Sequence, residues 1–245
     1  MDANWFAARS PIPPDTQTPS SFLHALYAEG EKVIIFDNMR SQGQRLWSHV
    51  GSRHRGGALA YFETGAEQGV WFLCNPVTGK EAVNDSGKLS LRSHQNVTSW
   101  RYMVVESDEA DKAQWMSALA QLPLPIASIC ESGGKSIHAL VRLDAVSKQD
   151  WDSKAAKLEP MLVMLGADPQ AISAVRLTRL ACCKRLGTTN GDGYVQYREP
   201  RMQRLLYLNG NPDNTPICKL LVNPDLPARR RPMGEVALEI RRARV

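Results

Sequence analysis

The sequence predicts an α+β fold, in which short strands are interspersed with a few helices. Residues 101–105 are a short apolar, β-branched run, which is typical of a strand. Residues 136–143 alternate apolar and polar side chains with the period of two that a strand shows. Between these two runs, residues 111–122 repeat apolar side chains at helical spacing, and two prolines follow. Both kinds of element therefore lie side by side in the centre of the chain.

Length and composition are those of an ordinary globular protein. The chain has 245 residues, of which 43% are hydrophobic and 22% charged, so it can bury one good core or two modest ones. No apolar run approaches the ~18 residues of a membrane span, and the start shows no secretory signal pattern. The five cysteines are odd in number and form no CxxC pair, which argues against a zinc site or a disulfide framework. We therefore expect a cytoplasmic protein with no membrane contact.

Charge is distributed unevenly along the chain. Residues 176–245 carry 14 Lys and Arg against 6 Asp and Glu, which leaves 16 against 19 for residues 1–175 out of the totals of 30 and 25. An acidic centre followed by a basic C-terminal third suits a protein whose cations meet a polyanion. The alternative is an ordinary solvated surface.

We predict four segments along the chain. The Pro- and Ser-rich residues 1–20 predict a flexible leader. Residues 21–97 form a small α/β module, residues 98–210 hold the central strands, and residues 211–245 are a basic tail. Within the small module we expect a helix at 21–27, a weakly helical segment at 42–50, and strands at 33–36, 58–62 and 69–74.

The later elements follow from local signals. Ser147 begins a capping box, so a helix is expected after it, with Pro160 as a point of kinking and Gly166 as its end. The sequence Asp168-Pro169 predicts an N-cap and the first position of another helical turn. Further strands are expected at 126–130, 175–180 and 203–208, with a loop at 187–193.

The central strand ends in two carboxylates. Side chains alternate across a strand, so Glu106 and Asp108 point to the same side. Two carboxylates on one face repel each other unless a cation lies between them, and Mg²⁺ or Mn²⁺ is a natural choice. The competing interpretation is a strand that simply ends in polar residues, with Asp108 capping the next helix.

A Gly-Gly-Lys turn precedes the strand at 136–143. It is not a Walker A loop, because Ile129 occupies the position of the first glycine and the residues after Ser136 have strand periodicity. Two glycines still let backbone N–H groups approach an anion, and Lys135 adds positive charge. Ser136 and His138 share one strand face, where both can donate hydrogen bonds to phosphate oxygens.

Three motifs in this order, VVESD, SGGKSIHALV and VRLTRL, resemble the archaeo-eukaryotic primase (primase-polymerase) superfamily, most closely its bacterial, plasmid and phage branches. The resemblance covers residues 65–208. It implies the catalytic core of that family, in which an RRM-like palm packs with a small N-terminal α/β module. The implied activity is template-directed, divalent-metal-dependent nucleotidyl transfer on single-stranded DNA, making primers in the replication of a plasmid, phage or similar element.

The resemblance also implies roles for individual residues. Glu106 and Asp108 would bind the catalytic Mg²⁺ or Mn²⁺. Ser136 and His138 would hold the triphosphate of an incoming NTP or dNTP, and Ser132 and Lys135 in the turn would assist. The catalytic residues are then Glu106, Asp108 and His138.

The third motif departs from the family pattern, since VRLTRL contains no metal-binding carboxylate. Asp168 is the candidate third metal ligand, and a plain N-cap before Pro169 is the alternative. Arg179 is a candidate for nucleotide binding, and Arg176 for nucleic-acid binding; both also suit an exposed strand face. The remaining candidates for nucleic-acid binding are Asn75, Arg92, Lys184 and Arg185.

Two other functions compete with primase activity. One is a replication-associated nucleic-acid-binding module that has the fold without catalysis, which the missing third carboxylate favours. The other is a rolling-circle initiator or relaxase, which is disfavoured because His138 has no second histidine at the spacing of a metal pair. A replicative helicase is an expected partner of a primase.

Overall fold

The computed structural model describes residues 1–37, 44–48, 65–187 and 200–223. These residues form a mixed fold of two four-stranded antiparallel sheets, two small hairpins and four α-helices. The helices are α1 (Ala3–Ala7), α2 (Pro19–Leu26), α3 (Lys112–Gln121) and α4 (Lys148–Met164). The strands are β1 (Lys32–Phe36), β2 (Gln44–Ser48), β3 (Trp71–Leu73), β4 (Ala82–Val83), β5 (Leu89–Ser90), β6 (Trp100–Ser107), β7 (Ile126–Glu131), β8 (Ile137–Ala145), β9 (Leu177–Arg179), β10 (Lys184–Arg185), β11 (Arg201–Met202) and β12 (Leu205–Leu208).

The second sheet is the centre of the molecule, and its strand order is β12-β7-β8-β6. Along the chain it is built as strand, helix, two strands, helix and strand, the order of a ferredoxin-like unit. In a ferredoxin-like sheet the last strand pairs with the first, whereas here β12 pairs with β7. The predicted RRM-like palm is therefore matched in chain order but not in this pairing.

The two faces of the second sheet are buried against different layers. Met103 and Val105 of β6 join a core with the side chains of α3 and α4. Tyr102 and Val104, which alternate with them, join a second core with α2 and the first sheet. The sheet thus lies between a helical layer and the first sheet, and its strands are apolar on both faces, as a central sheet must be.

The first sheet has the order β2-β1-β3-β9 and draws on both halves of the chain. Residues 71–73 pair with residues 177–179 in an antiparallel register. This pairing crosses the predicted boundary between residues 97 and 98, so the N-terminal module is completed by a strand from the C-terminal half. It also brings the residues around β9 next to the end of β6.

The N-terminal residues differ from the predicted flexible leader. Phe6 on α1 is fully buried in the core beneath the second sheet. Ser10 Oγ donates to Leu208 O at 3.0 Å and accepts from Leu208 N at 2.8 Å, which closes the edge of β12. Burial of one aromatic ring and capping of one strand edge thus outweigh the Pro- and Ser-rich composition.

The segment predicted to be weakly helical, residues 42–50, contains a strand instead. Residues 44–48 pair with β1 over five residues, and Trp47 is 5% exposed while Leu46 is 38% exposed. Pairing with the free edge of β1 gives the period of two, which overrides the weak helical propensity. The strand predicted at 58–62 and most of the loop predicted at 187–193 lie outside the described residues.

The elements that flank the central motifs are confirmed. Asp111, and not Asp108, caps α3, and Ser147 caps α4, which is not broken at Pro160. Asp168 caps a 3₁₀ turn at Pro169–Ala171. Among the described residues, no helix is long and apolar enough to span a membrane.

Candidate active site

The pairing of β6 with β8 brings the central motifs together. Glu106 lies directly opposite His138 in the antiparallel register, and Ser136 immediately precedes β8 on the same side as His138. Both motifs open into one pocket of about 260 Å³. Its lining combines two carboxylates, three arginines, a serine–histidine pair and two apolar side chains: Glu106, Asp108, Arg92, Arg176, Arg179, Ser136, His138, Trp71 and Leu177.

Glu106 is a buried carboxylate that carries a negative charge. Its side chain is 5% exposed, its Oε2 lies 2.7 Å from His138 Nδ1, and its Oε1 accepts a hydrogen bond from Arg176 Nη2. Burial by itself raises the pKa of Glu106, but the contacts with His138 and then Arg176 more than offset it and lower this pKa to about 2. Glu106 is therefore ionised across the physiological pH range.

His138 connects Glu106 to a row of hydroxyl groups. Its Nε2 lies 3.1 Å from Ser136 Oγ, which in turn donates to Ser132 Oγ at 2.9 Å. Its Nδ1 also lies 3.2 Å from Thr178 Oγ1, so β9 contributes to holding the ring. All these side chains are buried or nearly so. The row orients the imidazole so that one nitrogen faces a carboxylate and the other faces the mouth of the turn.

The glycine turn has the backbone shape that the sequence predicts. Gly133 adopts φ +70°, which favours glycine, and Ser132 Oγ accepts from Gly134 N at 3.2 Å. Lys135 is exposed at the tip of this turn. Lys135 does not line the pocket; it lies directly before Ser136, which does.

Arg176 joins Glu106 to Asp168. Its Nη2 contacts Glu106 and lies 3.8 Å from Asp168 Oδ2. The backbone N–H of Asp168 donates to Glu106 O at 2.8 Å, so the two carboxylate-bearing segments run alongside each other. Asp168 also accepts from Gln170 N at 2.9 Å. It therefore has the N-cap role and lies near Glu106 at the same time.

Two further arginines complete the positive wall of the pocket. The Arg179 guanidinium carbon lies 3.9 Å from the ring centre of Trp71, and its Nη1 donates to Gln68 O at 2.7 Å. Arg92 Nε donates to Val175 O at 2.8 Å. Burial and the nearby charge of Arg176 lower the pKa of Arg92. Three arginines in one pocket form a strong attractor for an anion.

The structure also places two candidates for nucleic-acid binding in this pocket. Arg92 and Arg176 both contribute to its lining. Trp71 was not among the candidates, and the strand pairing of residues 71–73 with 177–179 is the feature that brings it here. In the sequence, its strand is indicated only by the continuous apolar run of residues 70–74.

Asn75 lies in the interior of the protein. It is fully buried, and its side chain bonds to backbone atoms of Arg101, Tyr102 and Ala174 at 2.7–2.9 Å. The Asn75 amide nitrogen donates two of these hydrogen bonds and the amide oxygen accepts the other two. The side chain therefore joins three segments of the core. Its position therefore gives no support to the expectation that it contacts a template.

Lys184 and Arg185 lie on a different surface, the β10–β11 hairpin. Lys184 is exposed, and Arg185 Nη1 lies 3.4 Å from Ser132 O, so the hairpin packs against the glycine turn. β11 adds the exposed Arg201. We refer to Lys135, Lys184, Arg185 and Arg201 as the basic surface.

A divalent metal is implied by the family resemblance, and the residues fit it in chemistry. Glu106 and Asp108 line the pocket and Asp168 is nearby; carboxylates are the ligands that Mg²⁺ and Mn²⁺ prefer. In the present arrangement, no three His, Cys, Asp or Glu of the described residues form a group that could hold an ion. Glu106 Oε1 instead accepts a hydrogen bond from Arg176 Nη2, and its Oε2 lies 2.7 Å from His138 Nδ1. An ion bound to Glu106 would lie beside the Arg176 guanidinium.

Comparison with known proteins gives little. No protein-family model matches the sequence, and no curated protein matches it. Among solved structures, the AEP domain of the cyanophage S-2L primase-polymerase (PrimPol) is similar to this chain with a TM-score of 0.45 and 20% sequence identity, over 83% of this chain and 96% of that chain. A likeness of this size does not establish the family. The function is therefore inferred from the pocket.

Proposed function

We propose that the chain is a primase-polymerase that carries out template-directed, divalent-metal-dependent nucleotidyl transfer on single-stranded DNA. The observation that supports this is the pairing of Glu106 with His138 across β6 and β8, inside a pocket that also holds Ser136, Asp108 and three arginines. A carboxylate pair beside a cationic wall suits a metal–triphosphate ligand. Either feature alone would be much less specific.

The arginines and the serine–histidine pair are proposed to hold the triphosphate of an NTP or dNTP. Arg92 and Arg179 are fixed by backbone carbonyls of Val175 and Gln68, so their guanidinium groups are already oriented when the ligand arrives. Ser136 can donate its hydroxyl proton to a phosphate oxygen. Ser132 and Lys135 are proposed to assist from the turn.

His138 has a defined orientation for this role. Its Nδ1 faces the ionised Glu106, so the proton is held at that nitrogen. Its Nε2 faces Ser136 Oγ and the pocket. In this tautomer Nε2 can accept the Ser136 hydroxyl proton in place of Ser132 Oγ, and in the other tautomer Nε2 can donate a hydrogen bond to a phosphate oxygen.

Glu106 and Asp108, with Asp168, are the residues proposed to hold Mg²⁺ or Mn²⁺. When bound, such ions lower the pKa of an attacking 3′-hydroxyl and stabilise charge in an in-line phosphoryl transfer. The protein's own part is to supply a low-exposure carboxylate at Glu106 and a more exposed one at Asp108 on the same side.

The template and primer are proposed to follow the basic surface, which adjoins the glycine turn. Lys184 and Arg185 are the residues expected to contact phosphates there. The biological setting that we propose is replication of a plasmid, phage or similar element in the cytoplasm, with a replicative helicase as a partner.

A second function is favoured by one observation. Arg176 already compensates the charge of Glu106, His138 contacts its other oxygen, and the described residues contain no group of three metal ligands. A nucleic-acid- and nucleotide-binding module without catalysis would have these properties. The two functions differ in whether metal-dependent synthesis occurs.

The deciding experiment is a synthesis assay on single-stranded DNA with labelled NTPs and dNTPs, with Mn²⁺ or Mg²⁺, with and without a primer. The Glu106→Ala/Asp108→Ala double variant is compared with Glu109→Ala, which changes an exposed acidic residue outside the pocket. We expect products from the wild type and from Glu109→Ala and none from the double variant. Absence of products from the wild type, with DNA binding intact, would favour the binding module.

A further inference from the structure

We propose that Arg176 is an internal counter-ion that occupies the cation position between Glu106 and Asp168, so that a divalent ion and this guanidinium compete for the same carboxylates. This inference rests on the proposed function, since it concerns the metal that nucleotidyl transfer requires. It adds a regulatory property: the site is held closed to metal until Arg176 moves.

Arg176 Nη2 lies close to two of the carboxylates. Arg176 Nη2 touches Glu106 Oε1 and lies 3.8 Å from Asp168 Oδ2, and Nη1 lies 3.3 Å from Gln170 O. The guanidinium is therefore placed between two of the three carboxylates proposed to hold the ion. An ion on Glu106 Oε1 would lie directly beside this guanidinium, so the two cations compete for the same oxygen.

Electrostatics makes the competition strong. Glu106 is 5% exposed, so water screens its interaction with either cation only weakly. A divalent ion beside a fixed guanidinium would be repelled by it, and His138 already contacts the other oxygen of Glu106. Arg176 in its present position therefore weakens metal binding at Glu106.

Arg176 is able to leave. Both Arg176 and Glu106 line the pocket, but the Arg176 side chain is 28% exposed whereas that of Glu106 is 5% exposed. A triphosphate in the same pocket would offer it alternative oxygens, with which arginine forms strong charge-assisted hydrogen bonds. Nucleotide would then release the carboxylates to the metal. Because coupling is reciprocal, metal would also raise the affinity for nucleotide.

The test is equilibrium binding of Mn²⁺ alone, measured by electron paramagnetic resonance of the free ion without nucleotide. Arg176→Gln removes the proposed competitor. Arg92→Gln is the matched control, because it removes an equal charge from the same pocket wall while its hydrogen bond goes to Val175 O. We expect Arg176→Gln to bind Mn²⁺ about tenfold or more tightly than the wild type, and Arg92→Gln to gain clearly less. Adding Glu106→Gln to Arg176→Gln should abolish the gain.

Equal Mn²⁺ affinities of Arg176→Gln and Arg92→Gln would overturn the competition, while leaving metal binding and the proposed function intact. Failure of every protein to bind Mn²⁺ would overturn both. Circular dichroism checks that each variant is folded. If Arg176→Gln does not fold, Arg176→Lys provides the same test, because an ammonium cannot make all three contacts at once. Mn²⁺ should then raise the melting temperature of Arg176→Lys more than that of the wild type, and an equal rise would count against the inference.

Discussion

At the scale of single residues, the most informative group is the Glu106 carboxylate. It is buried at the end of β6, yet it stays ionised because His138 and Arg176 contact its two oxygens. Breaking a buried ion pair by removing one partner leaves an uncompensated charge, which is costly. The same three residues therefore serve stability and the proposed chemistry together.

The low pKa of Glu106 predicts a pH dependence of stability. Because its pKa falls from about 4.5 in the unfolded chain to about 2 in the folded one, ionised Glu106 stabilises the fold at neutral pH. The size is on the order of 3 kcal/mol. This contribution is complete above about pH 5 and is lost as the pH falls toward 2. Urea unfolding of the wild type and Glu106→Gln should show a difference in the free energy of unfolding that is large at pH 7 and about half as large or less near pH 3.

The control for this pH prediction is Glu109→Gln. Glu109 is exposed just beyond the end of β6, so its loss should change the free energy of unfolding little at either pH. A difference between Glu106→Gln and the wild type that stays constant from pH 7 to pH 3 would show that Glu106 does not act through its charge.

At the scale of elements, the pairing of β6 with β8 positions the site residues, and the N-terminal segment covers one edge of the second sheet. Antiparallel pairing fixes which residues lie opposite each other, so a slip of β6 by one residue would remove Glu106 from His138 and reverse the faces of β6. Met103 and Tyr102 would then exchange between two differently shaped cores, which makes the slip costly. α1 and Ser10 meanwhile cover the β12 edge of the same sheet.

The packing of α1 predicts that the first residues are needed for stability. Phe6→Ala should lower the free energy of unfolding by about 3 kcal/mol, because it opens a cavity where a fully buried ring packs in the main core. Chemical denaturation measures this directly. Glu29→Ala, at an exposed position after α2, is the control and should have little effect. A negligible effect of Phe6→Ala would support the flexible leader that the sequence suggests.

At the scale of the whole molecule, two groups of basic residues adjoin each other. Three arginines line the pocket, and the basic surface lies on β10, β11 and the glycine turn. A small anionic ligand and a long polyanion could thus bind side by side. This arrangement agrees with the excess of Lys and Arg after residue 176.

The basic surface predicts how DNA binding responds to charge and salt. Lys184→Glu/Arg185→Glu should weaken binding to single-stranded DNA by about tenfold or more and reduce the salt dependence of the binding constant, since each phosphate contact releases counterions. Fluorescence anisotropy at several salt concentrations checks this. Lys148→Glu/Lys157→Glu, at two exposed positions on α4, changes the net charge equally and is the matched control. Equal losses in both proteins would indicate a general charge effect rather than a binding surface.

Sequence patterns alone determined the local elements of the central region. The β-branched run of β6, the alternation of β8 and the capping residues Asp111 and Ser147 each act within a few neighbouring residues. Periodicity and capping report such short-range interactions directly. The presence of carboxylates at 106 and 108 and of the serine–histidine pair on one strand face followed from the same local rules.

Only the tertiary structure decided the partners of these residues. Arg176 contacts Glu106 from 70 residues further along the chain, and Trp71 and Arg92 reach the same pocket from the N-terminal half. β2 and α1 likewise depend on a neighbouring strand edge and a distant core rather than on their own composition. Such contacts arise from pairing between strands and burial of their faces, which are not encoded within a short window. The chemical groups of the site could therefore be predicted from sequence, but the fact that an arginine lies between its carboxylates could not.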